Sequence, residues 1–302
     1  MIKQRFLKLS KNAQCWIILF CILCCVIGCS SASLSVTQND FVVHYIDVGQ
    51  GDCSLISCGG KYMLIDSGEE EESKNVLEYL KELRIKELEY VVNTHPHSDH
   101  IGGMHKILSE VDVNTIIMPD ICNEITEYNK MVDVINKRKI TTIVACAGNV
   151  YSLGGSIFTI LAPNSNEYEN INDYSVVIKF DYQDTSFLFT GDCENISEYE
   201  MVASGYDLGS DVLKVAHHGS STSTCESFLK AVNPTIAVIS AGENNQYGHP
   251  HASVMSLLDR YNVECFCTKD CGTIIIISDG TGYSVIKEKE ISRACACYKI
   301  RV

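Results

Sequence analysis

The chain has 302 residues, 46% of them apolar, and a formal net charge of −14. That length and apolar content suffice for one large core holding two sheets. The acidity argues against a tight, sequence-independent grip on nucleic acid, which needs a basic surface.

The N-terminus carries Lys3, Arg5, Lys8 and Lys11, then the uncharged apolar run Cys15 to Gly28. The run is shorter than the roughly 20 residues of a membrane-spanning helix and fits the apolar part of a signal peptide over residues 1–28. It closes Val26-Ile27-Gly28-Cys29, which resembles a bacterial lipobox with Cys29 as the lipidated residue. The alternatives are an uncleaved anchor or an ordinary secretory signal, and each places the rest of the chain outside the cytoplasm. Residues 1–28 hold four basic and no acidic residues, so the remainder carries about −18. Residues 29–40 read as a small, polar tether.

Strands are expected over 41–48, 53–57 and 61–66, with tight turns at Gly49-Gln50-Gly51-Asp52 and Gly59-Gly60. An amphipathic helix over 74–83 and a buried strand over 88–93 follow. Next come a helix over 101–109 opened by two glycines, a strand 115–118, a helix 125–137 and a strand 141–144. Residues 148–173 contain short strands such as 156–161, and 174–182 pairs with 185–190 across Gln183-Asp184. A helix 194–203, a strand 212–216, a helix 225–232 and a strand 235–240 complete this half. A helix 251–261 and strands near Cys265, at 272–278 and at 283–287 end the folded part, and 288–302 reads as a loose tail. Strands first and then alternating helix and strand suit two sheets between two helical layers. Eleven of the sixteen cysteines follow position 29, so an odd thiol remains; Cys265-x-Cys267 with Cys271 reads as core and edge thiols or a disulfide.

The densest chemistry is Thr94-His95-Pro96-His97-Ser98-Asp99-His100, between the strand ending at Asn93 and a helix. His95 and His97 point the same way from an extended segment, and Asp99 and His100 follow around the turn. Two adjacent metal ions suit that arrangement, one per pair. The stretch resembles the H-x-H-x-D-H motif of the metallo-β-lactamase superfamily. Asp47-Val48-Gly49-Gln50-Gly51-Asp52 narrows the resemblance to the soluble domain of ComEC-type competence proteins, over roughly residues 41–287. The resemblance implies an αββα sandwich, two divalent ions (Zn²⁺ or Mn²⁺), and ligands at His95, His97, Asp99 and His100. It also implies that Asp192, ending Leu188-Phe189-Thr190-Gly191-Asp192, bridges the two ions.

The second site is expected to be completed by His217 or His218, with His218 preferred because a histidine directly before a glycine has room to approach an ion. His249, before Pro250, is expected as a ligand or as the group that protonates the leaving oxygen; with Asp99 it forms the catalytic pair. Asp47 is expected to hold a ligating histidine, with Asp66 and Tyr247 in support at the rim. The hydroxyl run Ser220 to Thr224 is expected to hold a phosphate, and Ser223 with Glu226 to form a capping box. No histidine lies between His105 and His217, so either Asn172 or Asp173 supplies an oxygen in place of the superfamily's third imidazole or the first site binds weakly. An oxygen-richer site shifts preference from zinc towards manganese.

Together these features imply metal-assisted hydrolysis, in which a water shared by two ions loses its proton and attacks phosphorus. The expected substrate is a phosphodiester, either nucleic acid or a cell-surface polymer, and the expected membrane contact is an N-terminal lipid. The competing readings are a lactam or lactone hydrolase and a non-catalytic surface-binding protein with a relic fold.

Overall fold

In a computed structural model, residues 40–290 are described. The leader, Cys29 and residues 291–302 lie outside them. Among the described residues no helix is long and apolar enough to cross a membrane.

Two mixed sheets stack face to face. The first has eight strands in the order β15-β14-β1-β2-β3-β4-β5-β6. These are β1 (Phe41–Tyr45), β2 (Ser54–Cys58), β3 (Lys61–Ile65), β4 (Glu87–Val92), β5 (Asp112–Met118), β6 (Thr141–Val144), β14 (Ile274–Ser278) and β15 (Tyr283–Lys287). The second runs β13-β12-β11-β10-β9-β8-β7. It comprises β7 (Val150–Leu153), β8 (Ser156–Ala162), β9 (Val177–Tyr182), β10 (Thr185–Phe189), β11 (Val212–Lys214), β12 (Ile236–Ile239) and β13 (Glu264–Cys267). Helices α1 (Ser73–Glu82), α2 (Ser98–Ile101), α3 (Met104–Glu110) and α4 (Thr126–Arg138) cover the first sheet. Helices α5 (Asn195–Ser204), α6 (Glu226–Val232) and α7 (Ala252–Arg260) cover the second.

Alternation along the strands explains the layering. In β1, Phe41, Val43 and Tyr45 face the second sheet, while the next strand's Leu55 joins the helical layer. The inter-sheet core is aromatic: Phe41 lies 4.8 Å from Phe187 and 5.3 Å from Phe180, ring centre to ring centre. Each such fully buried side chain contributes about 2–3 kcal/mol of transfer free energy. The outer layers use aliphatic residues, as in Val76, Leu80, Ile107 and Met131 against the first sheet.

The parallel register brings the chemistry to one rim. β3, β4 and β5 run parallel, as do β10, β11 and β12. The loops after β1, β3, β4, β10, β11 and β12 all leave from carboxyl ends of strands, the usual place for a site in open α/β sheets.

Three local expectations are corrected. The helix after the histidine cluster is two helices, α2 and α3, separated by Gly102-Gly103. A Cβ at Gly102 would sit 2.5 Å from the Glu70 nitrogen, so the backbones meet too closely for a side chain. The strand expected from Tyr174 begins at Val177, because Ile171–Tyr174 forms a 3-10 turn. Ser223 and Glu226 do not form a capping box: Ser223 Oγ donates to the Cys193 carbonyl at 2.8 Å. The carboxylate of Glu198, on α5, accepts the Thr224 and Cys225 N–H groups at 2.5 and 2.7 Å instead. All nine described cysteines are free thiols, and Cys193 is buried in the outer core of the second sheet.

Gly51 locks the first loop to the histidine cluster. Its φ is +130°, and a Cβ there would lie 2.3 Å from the Asp99 carbonyl oxygen, which accepts the Asp52 N–H at 3.1 Å. Gly51→Ala is therefore expected to cost about 1–3 kcal/mol of stability and to shift Asp99. Thermal unfolding together with metal affinity checks this; a variant with wild-type values for both would contradict the packing described.

Candidate metal centre

The side chains meet across the two sheets. His95, His97, Asp99 and His100 follow β4, Asp192 follows β10, and His217 and His218 follow β11. Four ligand groups, from Asp99, His100, Asp192 and His218, have atoms within 4.8 Å of one another. Asp192 Oδ2 is the hub. It lies 3.3 Å from His100 Nε2, 3.4 Å from His218 Nε2, 3.8 Å from His217 Nε2 and 4.0 Å from His95 Nε2. Asp99 Oδ2 stands 3.2 Å from His218 Nε2 and 3.9 Å from His100 Nε2. His95 Nε2 and His97 Nδ1 are 3.0 Å apart beside this cluster.

The rings are held from behind. His100 Nδ1 lies 2.7 Å from Asp66 Oδ2, and Asp66 also accepts the Thr94 N–H and hydroxyl at 2.8 and 2.6 Å. His218 Nδ1 is 3.0 Å from the Ser240 carbonyl and 3.4 Å from Asp52 Oδ1. Both rings thus keep the proton on Nδ1 and turn Nε2 inward, the arrangement that orients metal-ligating histidines. Asp52 Oδ2 is paired at 2.7 Å with the buried ammonium of Lys214.

The electrostatics suit a cation. Burial, then the neighbouring His100, holds the His95 and His97 imidazoles below their usual range, so both are neutral donors. Burial would also lower His100 and His218, but Asp192 and the other carboxylates outweigh it and hold both well above. Burial would raise Asp192, but His218 and His100 hold it well below the carboxylate range. His100 Nε2 and Asp192 Oδ1 are buried without a hydrogen-bond partner. Leaving such atoms unsatisfied costs about 1–3 kcal/mol each, and a divalent ion among these donors removes that cost. The donor set, nitrogen and carboxylate oxygen together, fits zinc or manganese.

The cluster lies at the floor of an open cleft of about 650 Å³, whose walls include Gln50, Glu69, Glu127, Asn172, Tyr247 and His249. His249 stands at the mouth, its ring 5.6 Å from that of His217 and 5.9 Å from that of His218, outside the ligand cluster. Burial, then His218, lowers its pKa to about 4, so it is a neutral imidazole at pH 7. The exposed Tyr247 stacks on it at 5.6 Å. His251 accepts the Ser221 N–H at 2.8 Å just before α7 begins at Ala252.

Several expected roles fall elsewhere. The Asp47 carboxylate accepts the Gly49 N–H at 3.2 Å, while Asp66 and Asp52 are the carboxylates behind His100 and His218, because they end at the rim and Asp47 turns into its own loop. Asp173 accepts the Glu194 and Ser197 N–H groups and so caps α5, so its Oδ1 is already engaged. Asn172 donates to Glu194 at 3.1 Å and keeps a free, buried Oδ1 on the cleft wall. The run Ser220 to Thr224 offers no free anion cradle. The Ser221, Thr222 and Thr224 N–H groups already donate to His251, Ser220 and Glu198, and the Ser220 hydroxyl pairs with Thr222. Sequence reasoning missed Lys214 and Glu194. The signal for Lys214 was a lysine inside the apolar run Val212-Leu213-Lys214-Val215, which can be buried only with a carboxylate partner.

Two sheets between helices, with clustered histidines and aspartates at the strand ends, define the fold and site of the metal-dependent hydrolases. The chain belongs to the Metallo-beta-lactamase superfamily, whose family model matches residues 46–243. It is 28% identical to ComE operon protein 3 of Bacillus subtilis, over 83% of this chain and 35% of that protein. It is 35% identical to Recombination protein 2 of Haemophilus influenzae, over 75% of this chain and 27% of that protein. The chain thus spans about a third of the length of these relatives. Among solved structures, the metallo-beta-lactamase fold protein YhfI from Bacillus subtilis superposes with a TM-score of 0.54 at 13% identity, covering 79% of this chain and all of that one.

Proposed function

We propose that this chain is an exported, lipid-anchored metal-dependent hydrolase that cleaves phosphodiesters. The observation that carries the reading is the Asp99, His100, Asp192 and His218 cluster, buried beneath an open cleft with unpaired donor atoms. When bound, two divalent ions would supply Lewis acidity and a water of lowered pKa. Asp192 would hold both ions in register through its central carboxylate. Asp66, Asp52 and the Ser240 carbonyl keep His100 and His218 from turning. His249, a neutral imidazole at the mouth, can offer a ring N–H hydrogen bond to the departing oxygen without giving up its proton. Asn172 Oδ1, free on the cleft wall, can accept a hydrogen bond from a substrate hydroxyl or amine. The intact ligand set speaks against a relic fold, and the missing upstream histidine against a lactamase. The name of one relative, Recombination protein 2, supports nucleic acid as one substrate class. Export rests on the leader and lipidation on Cys29, both outside the described residues.

The charge of about −18 after residue 28 separates the substrates. Long polyanions are repelled until they reach the ions, and Glu69, Glu70, Glu71 and Glu127 at the cleft add to this. Small diesters such as bis-p-nitrophenyl phosphate should be turned over freely, and single-stranded DNA weakly. Salt screens the repulsion, so DNA cleavage should hold level or rise between low and moderate ionic strength. A basic nuclease loses activity steeply over that range, and such a loss here would overturn the small-diester preference.

A further inference from the structure

The first ion position would have two imidazoles, His95 and His97, and no histidine lies between His105 and His217 to complete it from the segment before Asp192. In the segment expected to supply an oxygen, Asp173 Oδ1 caps α5 and the Asn172 amide nitrogen binds Glu194, while Asn172 Oδ1 stays unpaired on the cleft wall.

We infer that His217 is the third imidazole of the His95 and His97 site, positioned by the carboxylate of Glu194. The inference rests on the two-ion reading given above and deepens it. His217 Nε2 approaches Asp192 Oδ2 at 3.8 Å and His95 Nε2 approaches the same oxygen at 4.0 Å. His217 stands outside the closed cluster that contains His218, so the adjacent histidines serve different ions. On its far side, Nδ1 lies 3.1 Å from Glu194 Oε1 and 3.2 Å from Thr222 Oγ1. A proton donated from Nδ1 to Glu194 leaves the Nε2 lone pair facing Asp192, the carboxylate–histidine arrangement of a metal ligand. Glu194 is fixed in turn by the Asn172 amide at 3.1 Å.

The backbone supports the assignment. His217 and His218 both adopt left-handed conformations, with φ of 50° and 53°. Two consecutive non-glycine residues there are costly, and such strain gathers at functional sites. Its result is that neighbouring rings stand 6.0 Å apart at 68° to one another, both turned to Asp192. An ordinary extended segment would send adjacent side chains to opposite faces.

The full chain, purified in detergent, is stripped with a chelator and titrated with Zn²⁺ and with Co²⁺, and bound equivalents are read by elemental analysis. The wild type should bind two equivalents. His217→Ala should bind one tightly and lose the other, and Glu194→Ala should weaken one of the two about 10–100-fold while the metal-free melting temperature stays unchanged. His251→Ala, an imidazole at the same rim outside the cluster, should keep both. Two equivalents of wild-type affinity in His217→Ala would overturn the assignment and leave the two-ion reading intact. If His217→Ala fails to fold, unchanged affinities in Glu194→Ala would overturn it equally. A wild type that binds one ion or none would overturn the two-ion reading itself.

Discussion

Asp192→Ala is expected to abolish retention of at least one ion and to lower phosphodiester hydrolysis by at least about 10³-fold, several kcal/mol of transition-state charge stabilisation. The size follows from position: Asp192 Oδ2 is the oxygen that His95, His100, His217 and His218 all face. No neighbour can replace it, because Asp99 lies nearer His218 and Asp66 and Asp52 are engaged behind the rings. The fold should survive, since His100 retains Asp66 and His218 retains Ser240. The same loss is expected for His97→Ala combined with Asp192→Ala. Circular dichroism with elemental analysis checks both points. A variant that folds, binds two ions and turns over substrate at the wild-type rate would show that Asp192 is not the bridge.

Lys214→Met is expected to be the most damaging change to stability among the residues around the site. Lys214 and Asp52 are both buried, paired at 2.7 Å. Removing the ammonium strands a carboxylate in the interior and costs about 3–5 kcal/mol, roughly a 10 °C fall in melting temperature for a domain of this size. Lys214→Met with Asp52→Asn should recover much of that loss, because no buried charge is then unpaired. Metal affinity should stay low in the pair, since His218 loses the carboxylate 3.4 Å from its Nδ1. The pH dependence has a definite sign. Burial would raise the Asp52 pKa, but Lys214 and then His218 outweigh it and bring it to about 2. A depressed carboxylate contributes stability that is present above its unfolded value near 3.9 and is lost as pH falls through about 2. The deficit of Lys214→Met should therefore be full at pH 7 and narrow below about pH 4. A deficit that does not change with pH would point to lost packing of the lysine stem instead.

The fold was largely readable because its signals are local. Short, mostly apolar runs such as Phe41 to Tyr45 and Ser54 to Cys58, bounded by turn residues, mark strands buried on both faces, one of them against the partner sheet. The candidate site was readable for the same reason, since His95 to His100 lie within six residues and Asp192 ends an apolar strand. What was missed spans the molecule. Asp52 and Lys214 are 162 residues apart, so a bracketing glycine loop could not show whether Asp47 or Asp52 turns inward. Ser223 and Glu226 had capping-box spacing, yet Glu198 from another helix takes the N–H groups. The hydroxyls of Ser220 to Thr224 suggested a phosphate cradle, and internal hydrogen bonds satisfy most of them. In each case a tertiary partner outcompeted a local one, which spacing along the chain cannot reveal.

Phosphodiester hydrolysis at this site should require two bound ions. This is tested most directly by following bis-p-nitrophenyl phosphate hydrolysis while metal-stripped protein is titrated with Mn²⁺ or Zn²⁺. No turnover is expected without metal, and the rate should rise to a plateau at two equivalents. A protein that takes up two equivalents and shows no turnover of this or any other phosphodiester would contradict it.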